Sequence, residues 1–551
     1  MNPDRRLQKI YKFIVLMTSD LCIVLLFFFV SASVHADDLE IGRKIYEQGI
    51  LPNGKYLTGT GSGGQEVIGQ EAACANCHHK SGMGGIEGKI FIPPISANFL
   101  FHPEIHSLAV TDPSQPMGIT ISDHTYTDSS LETLLTKGLS YKGLPLNNIM
   151  PRYQLDVHST RYLLDYLHKL SSVPSEGVTS SEQHFATVFT PEVDDKTKQL
   201  LKSEIDAFVF QHNSNMSISQ RHRRIGFERF STVNLPWVFH YWDLKGDQST
   251  WTSQLEGFYK KQPVFAFVAG VSFQDIDPIQ EFCDRFKTPC LFRSVLYPPD
   301  QLGLYSVYFS NGLGLDSAIL STGLKTGVIK KPKHVYQIMS ADAIGDRITN
   351  DFGNRLQELN ITESRLPLTQ ENMPVVRKTL SRVNSNELVI CWCDQFDLQH
   401  IGKIRLPKEA NVYFSGSLLM MKSGVKGLPA SWKSARLIYP YEEPDKRQKQ
   451  LSSFYSWVTG HHFEASNEVL QSDTYISLII LQEVLAELVN NRYKDYLLER
   501  TEMIFGMSYD FWGMYSRPSL GTLQRYANKS GYITKFVKNR WVPESARIIA
   551  E

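Results

Sequence analysis

The stretch Pro263-Val264-Phe265-Ala266-Phe267-Val268-Ala269-Gly270 is an unbroken apolar run closed by glycine. A strand buried on both faces reads this way, because neither face has to meet water. An amphipathic stretch over 278–286 follows, and a second apolar run begins at Cys290. Strand, helix, strand is the alternation of a parallel sheet with helices on its faces.

The same alternation extends outward. Further strands are predicted over 185–189, 237–242, 304–309, 334–339, 388–393 and 412–414, and helices over 195–208, 251–260, 343–358 and 372–383. Repeated units of this kind over about 370 residues exceed one sheet, so a bilobed α/β domain is expected over 183–551. Upstream, the Ser/Pro/Gly-rich run from Ser171 to Ser181 has linker composition, placed at 173–182. Before it, residues 37–172 hold helical patterns over 130–138 and 159–171 amid Gly- and His-rich loops, so a small all-α unit is expected.

That small unit contains Cys74-Ala75-Asn76-Cys77-His78. Two thiols three residues apart on one turn can add to both vinyl groups of a haem, while the adjacent imidazole reaches the iron. A thioredoxin-like pair would need a βα setting, and a zinc site would need a second ligand pair. Neither is present, so one covalent haem c is expected on Cys74, Cys77 and His78. Met150, in Met150-Pro151-Arg152-Tyr153, is the expected second axial ligand, and Met83, His79, His102, His106 and His124 compete for that place.

These residues resemble a class I cytochrome c over roughly 38–171, with Met150-Pro151-x-Tyr153 like its ligand loop and Arg161 to Leu170 like its closing helix. The resemblance implies an electron carrier, and a backbone carbonyl near Pro93-Pro94-Ile95 holding the His78 ring. An insertion over 99–124 departs from the pattern. Three stretches of the larger part, 263–291, 305–326 and 334–359, resemble type I periplasmic binding proteins of the branched-chain amino-acid receptor group. That resemblance implies a ligand between two lobes.

Arg5, Arg6, Lys9 and Lys12 precede an apolar run from Leu21 to Val30 and small residues ending at Ala36. This is the order of a signal peptide over 1–36, cleaved near Ala36, and it predicts a periplasmic protein with no membrane span after cleavage. The 551 residues carry 57 basic and 57 acidic side chains. A near-neutral chain lacks the basic face of a nucleic-acid binder. Six cysteines follow the leader. In an oxidising compartment Cys283 and Cys290 are the most plausible local pair outside the haem motif, and so the expected disulfide. Cys391 and Cys393, two apart on a strand, share one face and are expected as core residues.

Ligands of open α/β sheets gather at the carboxyl ends of strands. The candidates there are Ser272, Ser294, Asp342, Asp394 and Ser415, each of which also suits a turn or helix cap. No nucleophile with a base, no acid pair and no phosphate loop stands out, so the expectation is a carrier or an accessory subunit of a periplasmic dehydrogenase system rather than an enzyme. The larger domain would then dock a redox partner, such as a quinoprotein dehydrogenase or another cytochrome, or sense a small solute. The alternative is a solute-binding receptor of a transport or sensing system in which the haem is secondary.

Overall fold

The computed structural model describes residues 37–87, 90–102, 106–108, 119–121, 125–223, 235–422, 428, 432, 434–505, 514–521, 524–538 and 540–550. The expected signal peptide, His124 and most of the expected insertion lie outside them. The chain divides between Pro174 and Ser175 into two compact units.

In the first unit, helix Asp128–Lys137 starts at a reciprocal cap: Thr127 Oγ1 accepts from Ser130 N at 3.2 Å and Thr127 N donates to Ser130 Oγ at 2.9 Å. Helix Val157–Leu167 starts at Asp156, which accepts from Ser159 N at 2.8 Å. Each helix buries leucines three and four apart, Leu131, Leu134 and Leu135 on one and Leu163, Leu164 and Leu167 on the other. Those faces make the core of this unit.

The unit is not all-α. Thr58–Thr60, Glu66–Ile68 and Arg152–Tyr153 form an antiparallel sheet, and Gly85–Glu87 pairs with Ile90–Ile92, and His106–Leu108 with Ile119–Ile121, as hairpins. Strands of two or three residues are too short to show an alternating pattern. The first pair is turned by Gly63 and Gly64, both at positive φ.

The second unit holds two sheets. The first has Gln183–Phe189 at its centre, with Trp237–Asp243 on one side and Ala266–Val268 and Val271–Ser272 on the other, continuing to Cys290–Leu291, Ser294–Val295 and Ser306–Val307, all parallel. The apolar runs at 264–269 and 290–293 do not stay single strands, because Ala269, Gly270 and Phe292 take positive φ and kink them. The second sheet runs parallel through Thr362–Pro367, His334–Met339, Glu387–Trp392, Val412–Ser415 and Arg436–Tyr439, then adds antiparallel Ser530–Val537 and Arg540–Pro543. Helix Glu468–Leu488 returns to pack against helix Asp195–Arg223 of the first lobe before the second sheet is completed. The fold is therefore bilobed α/β with parallel sheets.

The expected linker ends early. Ser175 N donates to Arg492 O at 3.0 Å, and Lys494 N donates to Ser175 Oγ at 3.0 Å. A Cβ on Gly177 would lie 2.0 Å from Phe265 N, so this segment is pressed into the second unit. Cys283 and Cys290 form a disulfide with Cα atoms 6.2 Å apart, tying helix Asp277–Arg285 to the next strand. Cys391 and Cys393 are buried free thiols. Among the described residues no helix is long and apolar enough to cross a membrane.

Candidate functional site

The haem motif lies on the short helix Ala75–His78, with Cys74 as its amino-terminal cap residue. His78 is buried at 9 % exposure, and its Nδ1 stands 2.9 Å from Pro93 O. A carbonyl can only accept, so Nδ1 carries the proton and Nε2 keeps its lone pair. Burial lowers the His78 pKa to about 4, which keeps the ring neutral. Burial also pushes the Cys74 thiol up to about 12. Both features mark a site shielded from water.

Two adjoining cavities of 280 and 320 Å³ share Cys74, His78, Pro93, Leu146, Met150 and Tyr153 as walls. Cys77 lines the second. The first is closed by Leu100, Leu131, Leu134, Leu135, Leu163 and Leu167. A space walled by leucines on one side, with two thiols, an imidazole lone pair and a thioether, fits a large flat apolar group carrying a metal. The donor set fits haem. Met83 is buried and His102 is exposed, and neither lines these cavities.

Sequence reasoning passed over Arg152. Its Nη1 donates to Met150 O and its Nη2 to Leu146 O at 2.9 Å and Asn148 Oδ1 at 3.3 Å, so one guanidinium holds the loop that carries Met150. Gly138 makes room for it, since a Cβ there would stand 1.7 Å from Arg152 Nε. The signal was present: a cation beside the methionine expected as the second axial ligand, and a glycine at the end of a helix.

In the second unit a third cavity of 480 Å³ lies between the lobes. The first lobe contributes Asp194, Lys196 and Thr197 from the start of helix Asp195–Arg223, and the second contributes Asp394, Phe396 and Lys422. Phe396 is 68 % exposed into open space. Lys422 Nζ is 2.8 Å from Asp394 Oδ2. Burial pushes Asp394 up, but Lys422 and the Asp397 N–H outweigh it and hold its carboxyl below the ordinary range.

Of the five strand-end candidates, Asp394 alone lines this cavity. Ser272 Oγ lies against Thr190 and Glu192, and Ser294 Oγ donates to Asp473 Oδ2 at 3.1 Å. Asp342 caps helix Ala343–Glu358 through Gly345 N at 2.7 Å. Ser415 Oγ donates to Asp316 Oδ2 at 2.6 Å and accepts from Leu418 N at 3.1 Å. Those four satisfy neighbours inside the protein.

No protein-family model matches this chain, and no curated protein matches it in sequence. Solved structures similar to it include substrate-binding proteins of transporters. A branched-chain amino-acid ABC transporter periplasmic ligand-binding protein from Burkholderia xenovorans has a TM-score of 0.48 at 12 % identity, covering 67 % of this chain and 96 % of its own. A branched-chain amino-acid ABC transporter protein from Thermus thermophilus with bound valine has a TM-score of 0.47 at 9 % identity, covering 67 % and 97 %. A fatty-acid ABC transporter substrate-binding protein from Thermomonospora curvata has a TM-score of 0.46 at 12 % identity, covering 69 % and 95 %.

Proposed function

We propose that this chain is an exported, periplasmic two-module protein whose large unit receives a small solute and whose small unit holds one haem c. For the large unit, a receptor role has more support than docking of a redox partner, which moves the balance toward the alternative in which the haem is secondary. The observation that carries it is the polar cavity between two α/β lobes, at the carboxyl end of the Glu387–Trp392 strand, where Asp394, Lys422 and exposed Phe396 offer charge and a flat apolar face. A screen of amino acids, amides, short alcohols and their acids against the full chain tests it. A saturable rise in the unfolding temperature of the large unit is expected for one class. A flat response to every compound would remove the receptor reading.

The haem reading rests on a separate observation, the meeting of Cys74, His78 and Met150 at shared cavity walls. When bound, the group supplies reversible one-electron transfer. The chain's residues do the rest. Pro93 O fixes the ring of His78 with Nε2 free, Cys74 and Cys77 would anchor the group by thioether bonds, and Arg152 holds the loop that presents Met150. Leucines keep the site dry. Retention of haem in the protein after acid-acetone extraction is expected, and its release into the organic phase would defeat the reading.

A further inference from the structure

The first lobe places three donors around one carboxylate oxygen. Glu192 Oε1 lies 2.7 Å from Phe273 N, 2.6 Å from Thr190 Oγ1 and 3.2 Å from Ser272 Oγ. Thr190 and Glu192 follow strand Gln183–Phe189, and Ser272 ends strand Val271–Ser272, so all three donors sit at carboxyl ends of parallel strands. That is where such sheets hold ligands. The other oxygen, Oε2, is buried and has no hydrogen-bond partner. A buried unpaired oxygen costs stability.

Nearby stands Arg293, buried at 6 % exposure, with Nη1 3.4 Å from Val271 O. It comes close to the chain because residue 270 is glycine: a Cβ there would lie 3.1 Å from Arg293 Nη2. Burial lowers Arg293 to about 10, and the negative charge of Glu192 acts against that fall. A buried guanidinium beside a backbone N–H and two hydroxyls is the donor set that recognises a carboxylate.

We propose that Thr190 Oγ1, Ser272 Oγ and Phe273 N, with Arg293 nearby, form a carboxylate-binding cradle that the chain occupies with its own Glu192. Glu192 acts as a built-in ligand. The cradle therefore takes a free carboxylate only when Glu192 is absent, and the solute of the wild-type protein is recognised by other groups of the cleft. Asp194, two residues on from Glu192, lines the cavity between the lobes.

The inference builds on the receptor reading and has its own test. The full chain is compared as wild type, Glu192→Ala, Glu192→Gln and the double variant Glu192→Ala with Ser272→Ala. Each is titrated with sodium formate, acetate and butyrate against sodium chloride of equal ionic strength, and the unfolding temperature of the large unit is read. Glu192→Ala is expected to show a saturating rise with all three carboxylates. Wild type and Glu192→Gln should show none, and the double variant should need about tenfold more anion. If Glu192→Ala does not accumulate on its own, acetate in the refolding buffer should restore soluble protein where chloride does not. No response of Glu192→Ala overturns the proposal. So does a response to formate that vanishes by butyrate, which marks a closed hole, or an equal response in Glu192→Gln, which places the anion elsewhere. A wild type that binds no solute would defeat the receptor reading alone.

Discussion

The two cavities beside Cys74 and His78 in the small unit and the cleft of the large unit are walled by opposite chemistry. The leucine-lined cavity and its neighbour together have two thiols, the His78 imidazole and the Met150 thioether at their walls. The cleft is walled by aspartates, lysines and one exposed phenylalanine. An apolar, enclosed space is held open at a cost that a large apolar group repays by filling it. A polar cleft between lobes can stay wet and exchange its contents. On the proposed reading, the first site is built around a resident and the second around a visitor.

The largest effect expected from breaking this contrast is at the resident. Replacing Cys74 and Cys77 together by alanine should abolish covalent haem, read as loss of haem staining on a denaturing gel. Full staining of the double variant would contradict the assignment. Met150→Ala should remove the sulfur-to-iron charge-transfer band of the ferric protein and lower the potential. If the band instead disappears in Met83→Ala, the ligand is Met83. Arg152→Ala should weaken the same band without removing it, because the loop loses three carbonyl and amide contacts but keeps its thioether.

How far each region was legible follows from where its information lies. Cys74 to His78 is a local pattern with fixed spacing, so the sequence points to a chemistry and to the residues for it, and the Pro93 carbonyl stands where the family resemblance places it. The βα alternation is also local, and His334–Met339 and Ala343–Glu358 begin and end where their patterns do. The cleft is different. Asp194, Asp394 and Lys422 come from distant segments, and only folding shows that Asp394 reaches the space while Ser294 and Ser415 serve Asp473 and Asp316. The short strands of the small unit were hidden because two or three residues carry no period. Helix Asp195–Arg223 outran its predicted end because its later turns are polar.

Smaller effects test the frame of the large unit. Replacing Cys283 and Cys290 by alanine should lower its stability by roughly 2–3 kcal/mol, as expected for a short closed loop. Denaturant unfolding measures this, and an unchanged midpoint would show that the bond adds nothing. The smallest effect concerns pH. Burial raises Asp316 and Asp473 to about 7, despite hydrogen bonds from Ser415 and Ser417 to the first and from Tyr515 and Ser294 to the second. A carboxyl raised in the folded state holds its proton there while the unfolded chain has lost it. Its stabilisation is full below the ordinary carboxyl range and fades as pH rises through about 7. The unfolding temperature of the large unit should therefore decline between pH 5 and 8, and Asp473→Asn should flatten that decline. A slope that is identical in the variant would show that Asp473 does not titrate there.

The most direct measurement of the central claim, a resident haem on the small unit, is mass spectrometry of the peptide spanning Cys74 to His78, taken from protein produced in cells that export it. The account predicts one haem bound through both sulfurs, with neither thiol open to alkylation. Two alkylated thiols and a peptide of unmodified mass would contradict it.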